Sequence, residues 1–405
     1  MRWMIVNTDY DPFIAWLYRR HPGLHEASYE AQLATRHATR FGTSDFYSHH
    51  LRALGHEASD FVANNPMLQM RWARERGVGF TPHRRWRFRM RRGVVPWLWR
   101  ERGEEWLEEI LLAQVRAYRP DVFYCLAIER LGGAFARRIR PYCGRIVGQH
   151  AAELPHFDLE GYDLLISSLP NLVSRFRQAG LASEYVPLAF EDRVLADLRP
   201  APRRYDVVFV GGLAGAEHAW AVRLLERLAE RHRVAVWGYG AERLPRGSRL
   251  RRVSGPPIFG REMFQVLSEA RIVFNRHSSV AGPHANNMRL YEATGVGAAL
   301  LTDAKSDLHT LFTPGEEVAT YNDAEECVAQ VDALLADDRR REALATAGQQ
   351  RTLRDHTYRR RIPRIAACVE SLFPARARAA RRPGKRARPP NPCVRRPRRI
   401  RRLAT

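Results

Sequence analysis

The chain has 405 residues, 45% hydrophobic and 10% aromatic, so it can bury two cores of about 150 residues each and is not wholly disordered. Its formal net charge of +22 at pH 7 comes from two segments, residues 71–102 and 375–405, and the rest of the chain is balanced. Nearly all of the positive charge is arginine, with Lys305 and Lys385 the only lysines, so charge alone does not identify a nucleic-acid-binding protein.

Strand-like apolar runs alternate with helical patterns in the first half of the chain, which is typical of a doubly wound α/β fold. The helices between the strands include residues 45–54 and the amphipathic segment 104–118. The predicted strands are residues 3–6, 57–62, 122–127, 145–148, 164–167 and 184–187. We assign residues 1–195 to a first globular domain.

A basic aromatic insertion, residues 71–102, interrupts this domain. Its central part, residues 84–100, mixes tryptophans with arginines, which is the composition of an interfacial membrane contact or of an RNA platform. A solvated insertion whose tryptophans pack on the first domain explains the same composition, because Pro96 interrupts a continuous helix.

A second series of strands and helices follows a polar, turn-rich stretch, residues 191–204, that we interpret as a hinge between two domains. The predicted helices are residues 218–231 and 324–336. The predicted strands are residues 207–212, 234–238, 249–254, 271–274, 298–302 and 317–319. We assign residues 204–373 to a second domain. The remaining residues 375–405 combine prolines and arginines with few large apolar residues and are predicted to be disordered.

The cysteines and the N-terminus bear on location. The five cysteines form no C-x-x-C pair and mostly lie in apolar stretches, which indicates reduced core residues of a cytoplasmic protein. Residues 1–9 are too polar for a signal sequence, and no segment approaches the ~18 apolar residues of a membrane span. We expect a cytoplasmic protein, with peripheral contact at the inner membrane face left open.

The run of residues 287–301 carries most of the functional information. It places Glu292 on a short helix that ends at Gly295 and leads directly into an apolar strand, so this carboxylate is predicted at the mouth of a cleft beside a parallel sheet. A carboxylate there can accept hydrogen bonds from both hydroxyls of a ribose. The alternative is a helix glutamate in a surface ion pair. A Glu292 buried in a salt link, or facing bulk solvent away from any cavity, would contradict the ribose role.

Several spaced motifs occur in order over residues 205–372. They are Asn287-x-Arg289-x-x-Glu292-Ala293-x-Gly295, the strand 299–303, the segment 315–318 and His356-Thr357-Tyr358-x-x-Arg361. This set resembles the CgeB-like, spore-protein-like branch of the group-1 GT-B glycosyltransferases, and residues 119–122 and 162–168 resemble its first domain more weakly. The resemblance implies a GT-B fold, with two Rossmann-like domains facing across a cleft. It also implies that the nucleotide-sugar donor binds the second domain and the acceptor mostly the first.

The chain departs from the group-1 pattern at one position. Many relatives have a second glutamate eight positions before the one equivalent to Glu292, where this chain has His284. That glutamate normally contacts the transferred sugar, so neither the donor nor the stereochemistry carries over. His284 is a candidate for contact with the sugar or phosphate, and an incidental loop histidine is the alternative.

The diphosphate of a donor needs positive charge and backbone amides as the glycosidic bond breaks. Arg289 lies three residues before Glu292 on nearly the same helical face, and Arg276 follows a predicted strand at its carboxyl end, where α/β sheets bind ligands. We add the loop at Gly282 and the helix start at Asn287. Gly211 and Gly212 allow close backbone approach to phosphate, although a plain turn explains them equally, and Gly212 stands where relatives often have arginine.

In the first domain, His150 follows a short strand and resembles the histidine that group-1 enzymes place at the cleft, so we assign it as the candidate catalytic residue. A structural histidine is the alternative. His, Cys, Asp and Glu show no metal-ligand spacing in the sequence, and we expect no metal and no cofactor besides the donor.

The sequence therefore predicts a metal-independent glycosyltransferase that moves a sugar from a nucleoside-diphosphate sugar to a glycan, lipid-linked or protein acceptor. One alternative is a nucleotide-sugar 2-epimerase, which would convert the donor without an acceptor. Another is a non-catalytic protein that binds nucleic acid or an anionic membrane through its arginines. Salt-dependent RNA or liposome binding that disappears on deletion of residues 375–405 would favour this last interpretation. We expect no specific nucleic-acid ligand.

Overall fold

The computed structural model describes residues 1–81, 84–91, 95–103, 105–153, 158–215 and 218–374. The strands of these residues form two six-stranded parallel sheets and one antiparallel hairpin, with helices on both faces of each sheet. The predicted doubly wound α/β architecture with two sheets is confirmed. The predicted disordered tail, residues 375–405, lies outside the described residues, and so does Cys393.

The first sheet has the strand order β2-β1-β5-β6-β7-β8, and every neighbouring pair is parallel. The strands of the first half, including the hairpin β3-β4, are β1 Arg2–Asn7, β2 Glu57–Val62, β3 Arg84–Arg91, β4 Val95–Arg102, β5 Val122–Cys125, β6 Arg145–Gln149, β7 Leu164–Ser167 and β8 Ser183–Tyr185. The helices are α1 Asp11–Arg20, α2 Tyr29–Ala38, α3 Phe46–Ala53, α4 Pro66–Glu75, α5 Glu105–Tyr118, α6 Gly133–Ile139 and α7 Pro170–Gln178.

The second sheet has the order β11-β10-β9-β12-β13-β14, again parallel throughout. Its strands are β9 Tyr205–Val210, β10 Val234–Trp237, β11 Ser254–Gly255, β12 Ala270–Asn275, β13 Ala299–Asp303 and β14 Ala319–Tyr321. The helices of this half are α8 Ala219–Arg231, α9 Arg249–Val253, α10 Arg261–Ser268, α11 Met288–Gly295, α12 Ala324–Ala336, α13 Asp338–Asp355 and α14 Tyr358–Glu370.

Both sheets are buried on both faces, which explains why their strands read as continuous apolar runs. In β1, Met4 and Val6 point into one core, with α5 and α6, while Trp3 and Ile5 point into the other, with α3. The second sheet is covered in the same way, by α8 and α12 on one face and by α10 and α11 on the other.

One predicted strand is wrong. Residues 249–253 form the helix α9, and only Ser254–Gly255 pairs with β10. The Ser248 hydroxyl caps this helix by accepting a hydrogen bond from the Arg251 amide at 3.0 Å. A serine N-cap followed by arginines favours a helical turn over a buried strand, because arginine is seldom fully buried.

The basic aromatic segment is also organised differently from the prediction. Its first residues, 71–75, complete α4, where Trp72 is buried in the core, so the insertion is shorter than residues 71–102. The backbone of β3 and β4 then forms an antiparallel hairpin that pairs Arg84 with Arg102 and Arg91 with Val95. Within the described residues, no helix is both long and apolar enough to cross a bilayer.

The chain crosses between the two sheets twice. The first crossing is the predicted hinge, in which residues Asp192–Asp197 form a 3-10 helix held by ion pairs. Arg193 donates two hydrogen bonds to Asp45 at 2.9 and 3.0 Å and a third to the buried Glu191 at 2.6 Å. At the second crossing the chain returns from α13 to α14, whose apolar face packs on α3 and the first sheet.

The two crossings pair with each other. The Phe190 amide donates to the His356 carbonyl at 2.8 Å, and the Tyr358 amide donates to the Phe190 carbonyl at 2.9 Å. Nearby, the Phe259 ring of the second half packs against Phe13 and Phe41 of the first, with ring centroids 5.4 and 4.8 Å apart. The two bodies are therefore held together at more than one place.

The edge strand β2 of the first sheet carries a buried acid, Asp60. Burial raises the pKa of Asp60 to about 7, while its carboxylate accepts a hydrogen bond from the Ser48 hydroxyl and lies 3.7 Å from His37 Nε2. Burial also lowers the pKa of His37 to about 3. Since the folded-state pKa of Asp60 is raised, the stability from its neutral form is present at low pH and is lost as the pH rises through about 7.

We expect Asp60→Asn, which stays neutral, to gain stability relative to the native protein by about 2 kcal/mol between about pH 5.5 and pH 8.5. The measurement is the free energy of unfolding in urea for both proteins at both pH values. The exposed Glu230→Gln serves as the control and should show no such pH-dependent gain. A difference between Asp60→Asn and the native protein that is the same at both pH values would contradict the assignment of a raised pKa.

Candidate functional site

A cavity of about 210 Å³ opens at the carboxyl ends of β9 and β12. These are the neighbouring strands at which the order of the second sheet reverses, and ligands of open α/β sheets bind at such a switch point. The walls come from the end of β9, the end of β12, the start of α8 and the start of α11. They consist of residues 209–212, His218, Ala221, residues 274–279, Asn287 and Arg289.

The floor of the cavity is a close approach of two strand ends. A side chain at Gly238, after β10, would place its Cβ 1.8 Å from the Gly211 carbonyl oxygen, so only glycine fits there. The Gly211 amide donates to the Trp237 carbonyl at 3.0 Å. Gly212 follows, and a Cβ there would lie 2.8 Å from the His218 ring. The predicted glycines therefore expose backbone to the cavity because bulkier residues would fill it.

Two predicted arginines meet in this cavity. The Arg276 guanidinium stacks on the Trp220 ring, 4.4 Å from its centroid, which keeps it extended along the wall. Arg289 donates to the Val210 carbonyl at 3.2 Å, so its charge lies beside the end of β9. Asn287 connects the positions of the two arginines. It caps α11, the helix of Arg289, and its side-chain amide donates to the Arg276 carbonyl at 3.0 Å. The helix start, the arginines and the glycines thus form one positively charged wall.

Glu292 lies on α11 beside this wall. Its carboxylate oxygen Oε2 lies 2.7 Å from Arg289 Nη1, and the two side chains are only 12% and 13% exposed. Within the described part of the chain, Glu292 does not line the cavity. An ion pair with so little exposure counts against a direct contact between Glu292 and a ribose. The ribose role therefore stays a prediction, in which Arg289 and Glu292 bind the donor together.

His284 and Gly282 also lie outside the cavity wall formed by the described residues. The His284 ring contacts Asp307 through Nδ1 at 2.9 Å. Gly282 has a left-handed backbone with φ of 56°, and its carbonyl accepts a hydrogen bond from Lys305 Nζ at 3.0 Å. The loop of Gly282 therefore turns its carbonyl toward a lysine, and direct contacts of either residue with a donor stay predictions.

The sequence analysis missed His277, which lines the cavity next to Arg276. Its ring is fully buried, and Nδ1 lies 2.7 Å from Asp303 Oδ1 at the end of the neighbouring β13. Burial works to raise the pKa of Asp303, but the hydrogen bond from His277 and the charges of His277 and Lys305 lower it overall. Both residues follow predicted strands, and ligand-binding residues of α/β sheets lie at such strand ends. The sequence does not show that these two strands are neighbours.

The predicted catalytic His150 follows β6 at the corresponding edge of the first sheet. It is 8% exposed, its Nε2 lies 3.0 Å from the Glu153 carbonyl, and its Nδ1 lies 3.7 Å from Glu129 Oε2. Glu129, which the sequence analysis also missed, has a 44% exposed side chain. Burial acts to raise the pKa of Glu129, but the hydrogen bond with His150, a backbone hydrogen bond and the charges of His150 and Arg130 together lower it overall. The carboxylate is therefore ionised and reaches solvent more freely than the imidazole.

Tyr10, which follows β1, relates the two bodies. Its phenol has a pKa raised first by burial and then by the negative charges of Glu292 in the second body and Glu129 in the first. Carboxylates from both bodies therefore lie near enough to act on one tyrosine.

One group of described residues has metal-type ligands close together. Ligand atoms of His50, Glu191 and Asp192 lie within 4.8 Å of one another. Glu191 already binds Arg193, and Asp192 Oδ2 lies 2.7 Å from Arg359. Because arginines neutralise these carboxylates, we interpret the group as part of the ion-pair network of the hinge.

Comparison with known proteins supports a family for the second half. Residues 217–367 match a family described as "Glycosyl transferase-like". No curated protein sequence matches the chain. The segment matched covers α8 to α14 and includes the α11 wall of the cavity.

Solved structures are similar over most of the chain. Anabaena HepE in complex with UDP-glucose is 12% identical, with 92% of this chain and 100% of that chain covered and a TM-score of 0.59. A glycosyltransferase from Rickettsia africae is 9% identical, with 92% and 98% covered and a TM-score of 0.56. A putative UDP-N-acetylglucosamine 2-epimerase from Listeria monocytogenes is 9% identical, with 92% and 96% covered and a TM-score of 0.50.

These likenesses show that the chain has the GT-B fold, as predicted. The match of residues 217–367 shows a likeness of the second half to glycosyl transferase-like proteins. A fold shared with both a transferase and an epimerase does not by itself choose between those reactions.

Gly238→Ala tests the close approach beneath the cavity. We expect it to lower the free energy of unfolding by about 2–3 kcal/mol, because the added methyl group meets backbone that cannot move away cheaply. Gly247→Ala is the matched control, since a Cβ there meets no described atom within 4 Å, and it should change stability by less than about 1 kcal/mol. Equal stability of the two variants in urea unfolding would show that the strand ends are not in contact.

Proposed function

We propose that the protein is a glycosyltransferase that moves a sugar from a nucleoside diphosphate to an acceptor hydroxyl. The observation that carries this proposal is the cavity at the switch point of the second sheet, where Arg276, Arg289, Gly211 and Gly212 converge. Two guanidinium groups and exposed backbone suit a diphosphate, whose negative charge grows as it leaves the sugar. HepE, which shares the fold, is known in complex with UDP-glucose.

In this proposal Arg289 and Glu292 bind the donor as a pair. The ion pair fixes Arg289 beside the end of β9, where it can turn its remaining N–H groups to phosphate. Glu292 keeps a second carboxylate oxygen for a ribose hydroxyl. An ion pair that is retained on binding lowers the cost of bringing a carboxylate close to a diphosphate, because the charge of Arg289 offsets part of the repulsion between them.

The acceptor would lie against the first body, near Tyr10, Glu129 and His150. An ionised carboxylate can accept a hydrogen bond from an acceptor hydroxyl and orient it toward the sugar. In this arrangement His150 holds Glu129 in place and Glu129 contacts the acceptor. We further propose that the protein belongs to the CgeB-like branch and that it transfers the sugar, without a metal, to a glycan, lipid-linked or protein acceptor. We also propose a cytoplasmic location with contact to anionic membranes.

Isothermal titration with UDP-, GDP- and dTDP-sugars tests the donor site. We expect one nucleotide class to bind, Arg276→Ala to weaken it by about 10-fold or more through loss of a charge-assisted contact, and Glu292→Ala to weaken it similarly. If Glu292 contacts the ribose, Glu292→Gln should lose preference for a ribonucleotide over its 2′-deoxy analogue. Absence of binding by any of the three classes in the intact protein would contradict the proposal.

Incubation with the bound nucleotide sugar alone distinguishes transfer from epimerisation. A transferase should at most release free sugar slowly to water, and Glu129→Gln should reduce that release by about 10-fold or more while leaving the donor affinity unchanged. Conversion of the nucleotide sugar into its 2-epimer, detected by chromatography and mass spectrometry, would contradict the transferase and establish the alternative.

A further inference from the structure

The His277–Asp303 pair has a feature that the proposed function does not use. His277 lines the cavity, its ring is fully buried, and its Nε2 has no hydrogen-bond partner among the described residues. A buried polar nitrogen without a partner is costly and in most proteins is matched by a ligand or an ordered water. The position therefore points to a group that arrives with a ligand.

The state of the ring follows from its neighbours. Asp303 Oδ1 accepts from the His277 backbone amide at 2.8 Å and contacts Nδ1 at 2.7 Å, so Nδ1 carries a hydrogen. Asp303 Oδ2 lies 3.3 Å from Lys305 Nζ. In the neutral imidazole Nε2 is then a bare acceptor, which repels a phosphate oxygen, whereas in the imidazolium it is a donor that binds one.

We propose that His277 is a diphosphate ligand that takes up a proton when the nucleotide binds, with Asp303 stabilising the resulting imidazolium. This inference rests on the proposed function, because it assumes that the cavity receives a nucleoside diphosphate. The ring is fully buried in the ligand-free protein, so the proposal requires the cavity wall to open before an oxygen can reach Nε2.

The balance of charge around the ring favours this proton. Asp303 and the incoming diphosphate lie on the two sides of the imidazole and both favour its charged form. Arg276 and Arg289 on the cavity wall and Lys305 beside Asp303 oppose it, and His218 and the Tyr321 hydroxyl complete the polar surroundings. Arg289 is already paired with Glu292, and the diphosphate offsets the charge of Arg276 on binding, so little opposition is left at the moment when the proton is needed.

The proton on Nε2 also stabilises the nucleoside diphosphate as it leaves the sugar. When the bond between the anomeric carbon and the β-phosphate oxygen breaks, its electron pair stays on the diphosphate, and the Nε2–H group is in place to stabilise that charge. No proton leaves the ring in this step, and the acceptor hydroxyl gives its own proton to the Glu129 carboxylate of the first body. His277 is therefore a binding residue for the leaving group, distinct from the residues that orient the acceptor.

Titration calorimetry with UDP, GDP and dTDP tests the inference through the linked proton. The nucleotide that binds is titrated at about pH 7.5 in HEPES, MOPS and Tris, and the slope of observed against buffer ionisation enthalpy counts the protons taken up. We expect about 0.5–1 proton for the native protein and about zero for His277→Gln. The variant should bind about 10-fold more weakly at about pH 6.5 but within about 3-fold at about pH 8.5.

Two further variants separate this role from a structural one. Asp303→Asn keeps the acceptor for Nδ1–H but removes the charge, so it should bind nucleotide with a smaller proton uptake. His232→Gln removes a histidine from a similar pair, 2.6 Å from Asp332 at the opposite end of the sheet, and should retain the native uptake. Nucleotide binding without proton uptake, or uptake retained by His277→Gln, would overturn the inference and leave the proposed function intact. Failure of all three nucleotides to bind would overturn both.

Discussion

The parallel pairing of β12 with β9 on one side and with β13 on the other fixes the position of the candidate site. It brings Gly211, Arg276 and Asp303 to one edge of the sheet from segments that lie far apart in the sequence. Because the strand order reverses between β9 and β12, no helix crosses above that edge, and a cavity remains. The cap of α11, tied by Asn287 to the Arg276 carbonyl, then places Arg289 across the opening.

Most of the fold was predictable because each strand is buried on both faces. Such strands are short apolar runs, and their alternation with amphipathic helices identified two doubly wound sheets without any long-range information. The segment 249–253 was misassigned because it is too short for the spacing of its apolar residues to distinguish a strand from one helical turn. The packing of α14 on the first sheet was not predictable, since an amphipathic helix shows which of its faces is apolar but not which surface will cover it.

The site was predictable where a residue type and a strand end coincide. Arg276, Gly211 and Gly212 follow strands, and Arg289 and Asn287 begin a helix, so local pattern was sufficient to bring these five to one cavity, while their binding roles stay predictions. The His277–Asp303 and His150–Glu129 pairs depend on which strands lie side by side, and strand order is not written in any single segment. Glu292 is the opposite case. Its spacing from Arg289 predicted that the two side chains share a helical face, and because they are so close, its carboxylate forms an ion pair with Arg289.

The return of α14 to the first sheet has a consequence for the order in which the protein is made. Synthesis proceeds from the N-terminus, so the first sheet leaves the ribosome with the apolar surface beside α3 uncovered until Tyr358, Ile362 and Ile365 have been added. The N-terminal body therefore cannot complete its core during most of translation, although all of its strands are already present. An apolar surface left open in that interval favours aggregation until the core is complete.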